Sequence, residues 1–187
     1  MKGTGRFKYE KPNKLKGEAG MNTTYAGTYD TPHKINWKVL LLSLLISVGS
    51  GQVSGLLTNS SMEIYINDVV KPPLSPPGAV FPIVWSVLFV LMGISAYMVY
   101  MTISPYRRRA LTLYIAQLIF NFFWMIIFFN ARNYVFAFIW LAVLWLMVFF
   151  MIRSMRLVKP AAGNLQIPYL VWLTFAGYLN FAIILLN

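Results

Sequence analysis

Apolar and polar positions alternate along this chain in long blocks. Five apolar stretches, at 39–57, 79–101, 110–129, 134–152 and 165–186, are separated by short breaks carrying basic residues or prolines. Each stretch reaches the length of about 20 residues needed to cross a hydrocarbon core of about 30 Å as a helix rising about 1.5 Å per residue. Backbone groups in lipid must be hydrogen-bonded within the segment, so the stretches are predicted to be helices. No two-residue alternation supports a barrel. The fold class expected is an all-α integral membrane protein, a five-transmembrane-helix bundle over 39–187. The polar, basic stretch 1–38 precedes it; it has little to bury and is expected to be a disordered cytoplasmic leader.

Within the stretches the polar residues are few. On the first, Ser43, Ser47, Gly51 and Gly55 place a small residue at every fourth position, a stripe along which another backbone can approach closely. Tight packing within the bundle, a ligand-facing groove and a dimer contact all fit it. On the third, Gln117, Asn121, Trp124 and Phe128 recur at i, i+4, i+7 and i+11, one face of a helix. An unpaired amide in hydrocarbon costs several kcal/mol, so Gln117 and Asn121 are expected to face the bundle interior. Either they bond between helices or, with the Trp124 indole beside them, they line a ligand pocket. The fifth stretch carries Trp172, Ala176 and Asn180 at fourfold spacing, and the second carries Trp85, Phe89, Met92 and Gly93 on one side. An interfacial belt is the alternative account of Trp37, Trp85 and Trp172. Trp140 and Trp145 read as packing or lipid-facing.

Charge sharpens this picture. After Asp68 the last 119 residues contain no Asp or Glu, and only 11% of the chain is charged against about 25% for soluble domains. The net charge of +11 suggests nucleic acid at first sight, but the basic residues lie in the leader and the loops and form no stripe with stacking aromatics. No nucleic-acid partner is expected. Fourteen basic residues fall on one side of the five crossings, against Lys71 and Arg132 on the other. The positive-inside rule then places the N-terminus in the cytoplasm, with the C-terminus and the 58–78 loop outside, in the cell's inner membrane.

The chemistry that remains is narrow. There is no cysteine, and the single histidine, His33, lies in the leader. No metal site is expected, nor an axial ligand to haem iron. With no carboxylate in any span, neither a proton-coupled exporter nor a nucleophile–base set can be assembled. No catalytic residue is assigned.

The run Lys71-Pro72-Pro73-Leu74-Ser75-Pro76-Pro77-Gly78, followed by Phe81-Pro82-Ile83-Val84-Trp85, resembles the first-loop and second-helix signature of the translocator protein family (tryptophan-rich sensory protein, TspO/MBR). The match continues through 117–124 and 128–132 and ends with Pro168–Trp172 and Phe175–Asn180. The resemblance implies a bundle that is often dimeric, so a homodimer is expected, with a pocket opening toward the first loop. It implies a tetrapyrrole, porphyrin or haem, or another planar hydrophobic small molecule as ligand, no obligatory cofactor, and membrane lipid as the surrounding partner. Carried over by motif, the pocket would use Trp85, Asn121, Trp124, Trp172 and Ala176, joined by Gln117 and by Gly51 and Gly55.

Three departures stand out. Leu74 occupies a position where the family commonly has Trp, and Tyr65-Ile66 falls where it has an aromatic pair. Some bacterial relatives are proposed to degrade porphyrin by light-driven tryptophan chemistry, and Leu74 weakens that alternative here. No basic residue follows Lys159, so the sterol-recognition pattern of animal members is incomplete.

Overall fold

The computed structural model describes residues 35–187. The expectation of a disordered leader falls almost wholly outside the described residues. Five helices are long and apolar enough to span a membrane, and no strand occurs among the described residues. They are α1 (Trp37–Asp68), α2 (Val80–Met101), α3 (Arg107–Met125), α4 (Tyr134–Val158) and α6 (Ile167–Leu186), with a single short turn, α5 (Pro160–Asn164), between the last two.

Helix ends follow local chemistry. The Asn36 side chain accepts from Val39 N–H at 3.3 Å and caps α1, and Asn133 does the same for α4 through Phe136 N–H at 3.1 Å. Pro160 and Pro168 open α5 and α6, where a missing N–H costs nothing. α3 passes into a wider turn over Ile126–Asn130, closed by Ala131 N–H donating to Ile126 O at 3.0 Å, five residues back. The chain then reverses at Arg132, whose φ of 51° is left-handed.

Two boundaries differ from the hydropathy reading. α1 does not stop at residue 57 but runs to Asp68, so only 69–79 remains as the first loop. The stretch 153–164, read as a loop, is mostly helical. The cause is the same in both. Apolar content marks where a segment crosses hydrocarbon, whereas a helix continues into water or headgroups wherever its backbone bonds are kept.

α1 packs along α2, α3 along α4, and α4 along α6. The α1–α2 contact is where the small-residue stripe goes. Ser47 is fully buried there, and a Cβ added at Gly93 would meet Ser47 Oγ at 2.7 Å and the Leu44 Cα at 3.0 Å. A Cβ at Gly51 would enter the ring of Phe89. Ser47 and Gly51 are thus spent inside the protomer. Other ties cross the bundle: Ser95 Oγ donates to Ala162 O at 2.7 Å, and Asn130 Nδ2 to Leu57 O at 3.0 Å. The buried Asn180 carboxamide lies within reach of Tyr134 O and Phe138 N–H on α4, and the amide orientation that satisfies both, at 2.9 and 3.1 Å, has its nitrogen donating to the Tyr134 carbonyl and its oxygen accepting from Phe138 N–H.

Candidate functional site

α6 approaches α4 closely but stands off from α1, α2 and α3. The space left between them is a cavity of about 400 Å³, within the usual range for small-molecule sites. Its walls come from four helices and the wide turn after α3.

Three indoles dominate these walls. Trp85 of α2 is buried, stacked on Phe89 at 5.5 Å between ring centroids and edge-on to Tyr169 at 6.1 Å. Trp124 of α3 is buried and stacks on Phe128 at 5.4 Å. Trp172 of α6, half-buried, meets Phe81 edge-on at 6.0 Å and Phe175 at 5.5 Å. Such offset and edge contacts fix ring orientation. Trp85 and Trp172 are therefore cavity walls and not a belt, whereas Trp37, 63% exposed at the start of α1, has the exposure a belt residue needs.

Small residues supply the remaining wall. Gly51, Gly55 and Ala176 all line the cavity, and no atom lies within 4 Å of a Cβ built on Gly55. That glycine leaves open space facing the rings. The wide turn has its own effect here. By adding a residue to the turn it lets the neighbours Phe128 and Phe129 both bury toward the cavity, with Tyr65 edge-on to Phe129 at 5.4 Å and tilted on Phe128 at 5.6 Å.

Gln117 and Asn121 lie elsewhere. Both are fully buried on the inner face of α3, but the cavity reaches only the last turn of α3, and neither lines it. Gln117 Nε2 contacts Met92 Sδ at 3.9 Å, while Gln117 Oε1 and Asn121 Oδ1 meet no protein donor. The carboxamides at the cavity belong instead to Gln52 and Asn59 of α1. Thr58, Met62 and Tyr65 continue the Gly51–Gly55 stripe at i+7, i+11 and i+14, so a signal for them existed. It was hidden by ending the first helix at 57.

The proline-rich loop covers one end. A second space of about 360 Å³ lies under it, bounded by Pro72, Ser75, Pro76 and Pro77, and shares Met62, Tyr65, Gly78 and Phe81 with the main cavity. Lys71 Nζ sits 5.9 Å from the Tyr65 ring centroid, a cation–π contact. Burial, with a smaller contribution from Tyr134, pushes the Tyr65 phenol up to about 12, so the phenol stays protonated at neutral pH. Leu74 is 67% exposed and lines neither space.

Chemically, the arrangement offers flat aromatic faces and two carboxamides, and no Asp, Glu, Lys or Arg is among the described residues that line the cavity. It can hold a planar apolar molecule with polar edges.

The family model described as "TspO/MBR family" matches residues 41–186. The chain is 30% identical over 159 residues to "Tryptophan-rich protein TspO" of Chlorobaculum tepidum, covering 82% of this chain and 99% of that one. It is 33% identical over 155 residues to "Tryptophan-rich sensory protein" of Cereibacter sphaeroides, covering 82% and 94%. It is 34% identical over 142 residues to "Translocator protein" of Bos taurus, covering 74% and 83%.

Proposed function

The chain belongs to the TspO/MBR family, and from that premise we propose that it is a tetrapyrrole-binding sensor or transporter of the cell's inner membrane. A porphyrin, with or without iron, lies among Trp85, Trp124 and Trp172, against the flat wall of Gly51, Gly55 and Ala176. Gln52 and Asn59 bond its polar edge. Gln117 and Asn121, buried on α3 beyond the cavity, do not touch the ligand. The observation that carries this reading is the convergence of three tryptophans from three helices on one cavity faced by glycines. Stacking is indifferent to the metal, and the bundle offers no imidazole or thiolate, so metal-free porphyrin binds about as well as haem.

The basic residues orient the molecule with its N-terminus in the cytoplasm and the proline-rich loop outside. Homodimerisation belongs to the same reading. Its interface lies away from Ser47 and Gly51, which pack on α2. Light-driven porphyrin breakdown is not favoured, because position 74 is an exposed leucine outside the cavity.

The test is the absorption spectrum of protein purified from its native membrane. A co-purifying Soret band is expected; a colourless protein that also fails to acquire one from added protoporphyrin would overturn the reading.

A further inference from the structure

At the opposite end of α3 from the aromatic cavity, a second feature combines charge with apolar surface. A cleft of about 730 Å³ lies between the start of α3 and the later turns of α4, lined by Pro105, Arg108, Arg109, Thr112, Leu113 and Phe150. Arg108 and Arg109 are exposed, Leu113 is half-buried, and Phe150 is 49% exposed. The neighbouring Arg107 turns away to Tyr100, donating to its carbonyl at 3.4 Å with its guanidinium 6.0 Å from the ring.

No carboxylate follows Asp68, so neither α3 nor α4 has an acid to set against these guanidinium groups. The first turn of α3 also lacks an acid and a side-chain cap, so the positive end of its backbone dipole adds to the arginines. The complement is an anion, and the exposed Phe150 beside Leu113 is suited to an acyl chain. A second copy of this chain would bring the same arginines to the contact.

We propose that this cleft binds an anionic phospholipid, its phosphodiester held by Arg108 and Arg109 and its acyl chain lying along Leu113 and Phe150. A guanidinium pair grips phosphate oxygens with directed hydrogen bonds, and basic pockets between helices at a membrane surface suit such headgroups. The site is independent of the ligand in the aromatic cavity.

The test uses the full chain in detergent, with native mass spectrometry reading retained phosphatidylglycerol against phosphatidylcholine. One phosphatidylglycerol should be retained in preference, and Arg108→Gln with Arg109→Gln should weaken it about thirty-fold. Arg153→Gln with Lys159→Gln removes equal charge at the same end without touching the cleft and should change retention less than about threefold. Phe150→Ala, at an exposed position, should weaken retention severalfold even if the arginine variant folds poorly. Equal losses in the two double variants, equal retention of phosphatidylcholine, or no effect of Phe150→Ala would overturn the proposal. So would displacement of the lipid by millimolar inorganic phosphate, or a lipid-free dimer that the cleft substitutions dissociate.

Discussion

Gly51 of α1 and Phe89 of α2 are fitted so closely that a Cβ on the glycine would lie within the phenyl ring. Phe89 in turn stacks on Trp85, so this single contact sets the position of one cavity wall. Gly51→Ala is expected to push Phe89 into Trp85, destabilising the bundle by about 1–3 kcal/mol and weakening porphyrin affinity about tenfold. Gly55→Ala meets no atom within 4 Å, so it should leave stability unchanged and weaken binding through the cavity alone. Thermal unfolding and porphyrin titration of the two variants separate these outcomes.

The carboxamides make a second contrast. Asn59 lines the cavity and Asn121 does not. Replacing Asn59 with Leu should weaken porphyrin binding about five- to tenfold, the worth of one hydrogen bond of about 1–1.5 kcal/mol. Asn121→Leu should leave affinity within about twofold. Titrations of both variants in the same lipid provide the comparison.

Val70 and Asn187 hold the base of the proline-rich loop to the end of α6. Val70 N–H donates to Asn187 Oδ1 at 3.1 Å, and Asn187 Nδ2 donates to Val70 O at 3.1 Å. Asn187→Ala should free the loop, raising both association and dissociation rates severalfold while the affinity moves much less. Stopped-flow measurement of porphyrin uptake and release tests this.

Tyr65 gives the expected pH dependence. Its phenol is raised by burial from the usual value near 10 to about 12. Because the folded value lies above the unfolded one, the stability it contributes is complete below about pH 10 and is lost as pH rises through about 12. Affinity for a neutral porphyrin diester should therefore be flat between about pH 6 and 9. Chemical unfolding across about pH 9–12 should show a decline that Tyr65→Phe lessens.

The five spans were legible from apolar blocks because lipid punishes every unpaired backbone group, leaving one solution for each segment. Trp124, Trp172 and Ala176 were legible because helical spacing puts them on inward faces, and they do reach one cavity. Periodicity assigns a face but not a depth. Gln117 and Asn121 share the inner face with Trp124, yet the cavity occupies only that end of α3. The role of Asn59, Met62 and Tyr65 was hidden for a different reason: α1 outlasts its apolar stretch, and hydropathy carries no signal for a helix that leaves the membrane. The wide turn at Ile126–Asn130 left no mark either, since Ile, Phe and Asn suit an ordinary helix equally well.

The most direct measurement is a protoporphyrin titration of the full chain in lipid nanodiscs, following the Soret shift. The wild-type protein should bind saturably at one porphyrin per chain, and Trp124→Ala with Trp172→Ala should weaken that binding about a hundredfold. Equal affinity in the folded double variant, or no saturable binding by the wild type, would contradict the account.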